Sequence, residues 1–466
     1  MTARRAILWL RRDLRLDDHQ ALARLLKDGY QPIPVYLHEP AEEAPWAPGA
    51  ASHWWLHHSL SRIRDGLREL GSDLIIRRGP TLDALRELID QSGAEAVYWH
   101  RLYAPSLIER DSAIKAELRA AGIAAHSCSG HLIAEPDRVV NQSGGPYRVF
   151  TPYWRNLHTR LESLGAAEPA PSELPPLPPL DSLSVEQLAL LPKIPWDQGF
   201  YEHWVPGEAG AQDALARFAE SALEDYGEAR DRPDKSGTST LSPHLHFGEI
   251  SVRRVIASLA GSARSEPFLR ELGWRDYSYY LLRHFPQTTD QPLNQRFEHF
   301  AWAEADQRKL AAWQRGNTGI PIVDAGMRQL WASGWMHNRV RMIVASLLTK
   351  NLRYHWLHGA RWFWDTLVDA DLASNSQGWQ WTAGTGVDAA PYFRIFNPVS
   401  QGERFDPQGD YVRRWVPELG KLPNAVIHQP WKQGRVAGYP SPIVDLQRSR
   451  AEALDAFKAL KEVNQA

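Results

Sequence analysis

The residue pattern of this chain changes near position 200. Before about residue 130, short apolar runs at Ala6–Leu10, Pro32–Leu37, Leu74–Arg77 and Ala96–His100 have the length and content of buried strands. Between them, His19–Lys27, His53–Leu70, Thr81–Asp90 and Ser106–Ala121 carry helical spacing. Strands alternating with helices in this way predict a doubly wound parallel α/β sheet. Pro169, Pro171, Pro175, Pro176, Pro178 and Pro179 then mark a surface linker. Farther on, strand signals stop. His203–Tyr226, Ser251–Leu259, Pro267–Leu282, Ala305–Arg315, Ile322–Ser333 and Asn338–Tyr354 all have helical periodicity. The expected organisation is an α/β domain over 1–130, a linker over 131–200 and an all-α domain over 201–466. A chain of 466 residues exceeds what one hydrophobic core ordinarily organises, which agrees with two domains.

Several classes are excluded. The first strand runs into Arg11-Arg12-Asp13-Leu14-Arg15, with no glycine cluster to approach a pyrophosphate, so a nicotinamide dehydrogenase is not expected. No apolar run reaches the ~20 residues of a membrane helix, and the N-terminus lacks an export signal. The single cysteine, Cys128, permits no intramolecular disulfide, which fits a reducing cytoplasm. With a net charge of −2, any nucleic-acid partner must be met by a local basic patch. The chain holds 20 tryptophans, most of them beyond residue 200. Aromatics this dense serve as core and also suit stacking on a flat ligand or on bases.

Four segments of the helical half are more specific than packing requires. Gly237-Thr238-Ser239-Thr240-Leu241-Ser242-Pro243 sets hydroxyls and a glycine before a helix, where they can cradle phosphates or simply cap the helix. His244 and His246 point apart on that helix and are poor joint metal ligands. His53 and His57 share a face but lack a third ligand, so no metal site is expected. Glu271 and Trp274 lie three apart, setting a carboxyl group beside an indole; a surface charge next to a core tryptophan has the same spacing. Gly334–Met342 puts Asn338, Arg341 and Met342 on one face, and its arginines need anionic partners. The fourth segment runs from Asp369 through Trp381 and on through Ala389-Ala390-Pro391-Tyr392 to Pro398.

Together these segments strongly resemble the photolyase/cryptochrome family. The resemblance runs from Leu8-Trp9-Leu10-Arg11-Arg12-Asp13-Leu14-Arg15 to His428-Gln429-Pro430-Trp431 and is densest over Gly319–Pro398. It implies an α/β antenna domain and an all-α FAD-binding domain that acts on UV-damaged DNA. By motif, Tyr226, Thr238, Ser239, Thr240, Leu241 and Ser242 would hold the FAD phosphates and ribityl chain. Arg341 and Asp369 would pair beneath the flavin ring, Asn375 would face its N5, and Asp371 would meet its polar edge. Phe268, Arg275, Trp335 and Ala370 are implied as further cofactor contacts. Glu271, Asn338 and Met342 would line the lesion pocket, with Trp274 and Trp381 as aromatic walls. Arg230, Arg339 and Gln401 resemble DNA contacts. Trp379, Trp356 and Trp302 would relay electrons, with Trp313 the alternative outer member.

Three activities fit such a family: repair of cyclobutane pyrimidine dimers, cryptochrome light signalling and repair of (6–4) photoproducts. Asn375, where plant cryptochromes usually carry Asp, and the lack of a long tail after Trp431 disfavour signalling. Asn338 and Met342, in place of a histidine pair, disfavour (6–4) repair. The expectation is therefore a cyclobutane pyrimidine dimer photolyase, with leanings to class III, monomeric and without an obligate protein partner. A second antenna chromophore is expected, methenyltetrahydrofolate or alternatively a deazaflavin. Glu109 resembles an antenna contact and equally a solvated helix charge.

Overall fold

Strands β1 (Arg5–Leu10), β2 (Gln31–His38), β3 (Ile75–Arg78), β4 (Ala96–His100) and β5 (Ala124–Cys128) form a parallel sheet ordered β3-β2-β1-β4-β5. They belong to a computed structural model that describes residues 4–387 and 393–463. Helices α1 (Gln20–Lys27), α2 (Ala50–Glu69), α3 (Thr81–Ser92) and α4 (Pro105–Ala120) connect the strands. The four strands and four helices expected before residue 130 are all present, with ends shifted by a few residues. Strand β5 was not expected, because Ala124-Ala125-His126-Ser127-Cys128 lacks the branched apolar residues of a buried strand. It survives as an edge paired only to β4.

Two prolines in β2 show how the sheet tolerates them. The Gln31 N–H donates to Arg4 O, so the odd positions face β1. The missing donors of Pro32 and Pro34 therefore face β3, whose pairing begins only at Val35.

The chain continues through α5 (Phe150–His158), α6 (Phe200–His203), α7 (Glu208–Arg217), α8 (Tyr226–Ala229), α9 (Ser242–Phe247) and α10 (Val252–Leu259). It then forms α11 (Glu266–His284), α12 (Gln307–Gln314), α13 (Pro321–Ser333), α14 (Asn338–Ser346) and α15 (Trp356–Thr366). The last helices are α16 (Leu372–Ala383), α17 (Pro398–Phe405), α18 (Asp410–Trp415) and α19 (Leu446–Val463), with no described strand after β5. No described helix is long and apolar enough to cross a membrane.

Two compact units result, and they interleave in sequence. One is Met1–Trp196, Trp204–Ser221 and Ser239–His284; the other is Asp197–His203, Ala222–Thr238 and Phe285–Ala466. This division differs from the expected cuts at 130 and 200. The stretch expected as a linker contains α5, whose Phe150, Tyr153, Trp154 and Leu157 are buried. Gly273 of α11 makes room for the Trp154 indole, which a Cβ there would meet at 2.3 Å. Two expected helices are also broken. Gly207, at φ +107°, separates α6 from α7. The run Asn338–Tyr354 ends α14 at Ser346 and widens into a π turn over Leu347–Asn351.

In the first unit, Asp13, His19 and His100 form a buried cluster. The Leu22 N–H donates to His19 Nδ1 and the Ala21 N–H to His100 Nε2. The other ring nitrogens therefore carry the protons and face Asp13, at 3.2 and 2.8 Å. The His100–Asp13 contact is a hydrogen bond, whereas His19 Nε2 stays an ion-pair contact without a hydrogen-bond partner. His244 is likewise committed, to the buried Glu249, which also accepts from Trp55 Nε1 and the Gly207 N–H.

Candidate functional site

The second unit holds a cavity of about 160 Å³ walled by α14, α15, α16 and the segment before α16. Local rules build that wall. Gly334, at φ +66°, ends α13 and turns the chain toward α14. His337 caps α14, its Nδ1 accepting from the Arg339 N–H. Burial pushes the His337 imidazole down to about 4, so the cap stays neutral and keeps its acceptor near neutral pH. Asp371 caps α16 by accepting from the Ser374 N–H at 2.8 Å.

Helix α16 is fixed at three further points. Gln380, fully buried, donates to Thr288 O and Gln291 O and accepts from the Leu293 N–H. Gln377 donates to Thr288 Oγ1. At the C-terminus, Lys350 from the π turn donates to Ala383 O at 2.6 Å and satisfies one of the helix's last carbonyls. Burial lowers the Lys350 pKa well below its usual value, and its ammonium also sits 3.3 Å from the Phe393 ring centre.

The cavity brings together Asn338, Arg341, Met342, Asp369, Ala370, Asp371, Asn375 and Trp379 from the expected set. Arg341 and Asp369, 28 positions apart in sequence, form a two-point ion pair at 2.8 and 3.1 Å. Arg341 Nε also donates to Met336 O at 2.7 Å. The Asn375 amide is oriented by donating to Ala360 O at 3.0 Å. The sequence motifs gave no site role to Ala345, Phe363, Leu367, Ser374, Gly378 and Thr382, which complete the wall. A signal for three of them was present: Ser374, Gly378 and Thr382 recur every four residues on the face that carries Asp371 and Asn375.

Trp335 and Trp381 do not line this cavity. Trp335 is half-buried beside His337, and Trp381 stacks on Phe396 with ring centres 6.4 Å apart. Trp379 lines the cavity, with its indole edge against Gly359 of α15. A Cβ at position 359 would lie 2.0 Å from Trp379 Cη2. Gly359→Ala should therefore displace the indole and cost about 1–3 kcal/mol, seen as a lower urea midpoint. Trp356 opens α15 fully buried, 5.6 Å from His355, and half-buried Trp302 lies 5.2 Å from the same imidazole. Trp313 is fully buried, 6.2 Å from Trp379, and its N–H donates to Val344 O.

Also in this unit, Arg339 pairs with Asp231 at 2.7 Å, and the Arg230 guanidinium lies 5.6 Å from the ring of buried Tyr226. Gln401, on α17, has a buried side-chain oxygen. Half-buried Thr238 ends this unit's middle segment. Ala389, Ala390, Pro391 and Tyr392 of the fourth motif lie outside the described residues.

The remaining expected residues belong to the first unit. Half-buried Glu271 and Trp274 share α11, and Trp274 stacks face to face on Phe150 at 3.7 Å. Phe150 was not foreseen, since it comes from the expected linker. Arg275 donates to His131 O, and Phe268 packs on Phe218. Before α9, Thr240 adopts φ +54°, rare for a β-branched residue, and its hydroxyl donates to Ser239 O. Leu241 is buried and Ser242 is exposed at the helix start. Glu109 is exposed on α4.

A family model described as the FAD binding domain of DNA photolyase matches residues 268–459, and a DNA photolyase model matches residues 6–176. A deoxyribodipyrimidine photo-lyase of Agrobacterium fabrum is 46% identical over 473 residues, covering 98% of each chain. Cryptochrome-2 of Arabidopsis thaliana is 38% identical over 98% of this chain and 79% of its own. The crystal structure of a class III photolyase from Agrobacterium tumefaciens superposes with a TM-score of 0.95 at 45% identity, covering 99% of this chain and 98% of that one.

Proposed function

Because the chain belongs to the DNA photolyase/cryptochrome family, we propose that it binds UV-damaged DNA and splits cyclobutane pyrimidine dimers by light-driven electron transfer from reduced FAD. It is a deoxyribodipyrimidine photo-lyase in activity, and its subclass on this reading is class III. The cavity with the Arg341–Asp369 pair carries the reading.

The residues present fit the cofactor. A flavin ring has apolar faces and a polar edge. The cavity wall offers Phe363, Leu367 and Trp379 for the faces, and Arg341, Asp369, Asp371 and Asn375 for the edge. When bound, FAD supplies the electron and the light absorption, while the protein tunes charge and excludes water. Arg341, held by Asp369, favours negative charge on the ring. Asn375, a neutral amide fixed by Ala360 O, offers no proton beside it. Tyr226, Thr238, Ser239, Thr240, Leu241 and Ser242 are assigned to the phosphates and ribityl chain. Phe268, Arg275, Trp335, Ala370 and Asp371 are assigned as further cofactor contacts.

A dimer inside a duplex must be flipped out to be reached. Asn338, Met342 and Glu271 are assigned to its polar and soft contacts, Trp274 and Trp381 to its walls, and Arg230, Arg339 and Gln401 to the DNA strand. Asn338 and Met342 line the cavity while His337 is committed to capping α14, which supports dimer repair over (6–4) repair. Glu271→Ala should lower repair yield with flavin absorbance unchanged; a wild-type yield removes Glu271 from the lesion pocket.

A second chromophore, methenyltetrahydrofolate with a deazaflavin as the alternative, completes the proposal, together with a monomeric, cytoplasmic protein. An absorption spectrum of the purified protein tests the cofactor assignment. Flavin bands plus a separate antenna band are expected; a protein purified without flavin that cannot be loaded with FAD contradicts it.

A further inference from the structure

Arg339 is held more closely than a surface phosphate contact needs to be. It stands in the first turn of α14, and its Nη2 donates to Asp231 Oδ1 at 2.7 Å. Its guanidinium lies 4.5 Å from the Phe405 ring centre, and its Nη1 lies 3.9 Å from Met342 Sδ. Its Nε is buried with no hydrogen-bond partner. The two side chains are 19% and 35% exposed, so the pair is only partly screened from solvent and stays within reach of an approaching strand.

We propose that Asp231 is a positioning residue that presents Arg339 to DNA and sets how strongly the protein prefers dimer-containing over intact duplex. The inference rests on the reading of Arg339 as a DNA contact. A guanidinium carries five N–H donors in a fixed fork. Asp231 and Phe405 fix the plane of that fork, while the N–H groups of Nη1 and Nη2 not turned to Met342 or Asp231 are left for a phosphate. Seen from a distance, the carboxylate offsets the arginine's charge. Intact duplex offers phosphates alone, so it gains little from an offset cation. A flipped dimer is different, because Met342 lines the cavity and touches Arg339. A lesion seated there brings its own strand against the fork, where the uncommitted N–H groups act at hydrogen-bond range.

The test is Asp231→Asn in the full-length, FAD-loaded protein, titrated with dimer-containing and intact duplex of one sequence across a salt series. Affinity for intact duplex should rise about 5- to 10-fold and its salt slope steepen by about 0.9, as for one added phosphate contact. Affinity for the dimer duplex should change less than about 2-fold, so discrimination falls by a similar factor to the rise on intact duplex. Asp231→Glu should restore discrimination. Affinities that fall together, or do not change, with flavin absorbance intact would overturn the inference. Arg339→Ala separates the two levels: if it leaves binding and salt slope untouched, the DNA-contact reading fails with the inference. If it weakens binding while Asp231→Asn leaves discrimination unchanged, only the role of Asp231 is lost.

Discussion

Replacing Trp379 with phenylalanine should stop light-driven reduction of oxidised flavin while leaving repair by chemically reduced protein nearly normal. Phenylalanine keeps an apolar ring against Gly359 but is far harder to oxidise than an indole. Trp379 borders the cavity proposed for the flavin, and on that proposal its indole is the donor next to the ring. On the same proposal buried Trp356 and half-buried Trp302, which both pack beside His355, are the next two members. The outer member must exchange charge with solvent, and this separates the two candidates. Trp313 is fully buried with its N–H committed to Val344 O, whereas Trp302 reaches the surface. Trp302→Phe should shorten charge separation, measured by transient absorption, and Trp313→Phe should not. The reverse result would move the outer position to Trp313.

Arg341→Ala should have the largest effect on stability and on cofactor retention. It leaves the Asp369 side chain, 4% exposed, without its two-point cation and leaves Met336 O without a donor. Removing one partner of a buried pair costs about 3–5 kcal/mol, and with Arg341 24% exposed the lower end, about 3 kcal/mol, is expected. Urea unfolding of the flavin-free protein measures this part. Flavin-to-protein absorbance measures the other, and should fall well below that of the parent chain. Arg341→Lys keeps the charge but loses the fork, so it should recover only part of either loss. A variant with parental stability and full flavin content would remove the pair from both roles.

Much of the fold was legible in the sequence because the strands of a parallel sheet are apolar runs and their helices are amphipathic. Four strands and their helices followed from that alternation. β5 escaped because an edge strand with one neighbour can be built from Ala, His, Ser and Cys. α5 escaped because the prolines downstream of it coloured the whole stretch, although Phe150, Tyr153, Trp154 and Leu157 carry a helical apolar stripe. The π turn after Ser346 left no trace in the periodicity.

The cavity was legible in a different way. Spacing alone placed Asn338, Arg341 and Met342 on one face, but no local pattern pairs Arg341 with a residue 28 positions away. That pairing came from resemblance, and the ion pair is present in the fold. Trp335, expected as a cofactor contact, and Trp381, expected as a lesion-pocket wall, also rest on motifs, yet both lie outside the cavity lining, since a motif says nothing of which way a side chain turns. His244 shows the opposite lesson. A histidine that spacing could not explain is accounted for by a buried glutamate five residues on.

Dimer repair itself is measured by incubating the reduced, FAD-loaded protein with an oligonucleotide containing one cyclobutane thymine dimer, in light and in darkness. Intact thymines should reappear under illumination and not in the dark, and a (6–4) photoproduct in the same sequence should remain unrepaired. Reduced protein that binds the dimer and leaves it intact in the light, or that restores the (6–4) lesion instead, would rule out dimer repair as its activity.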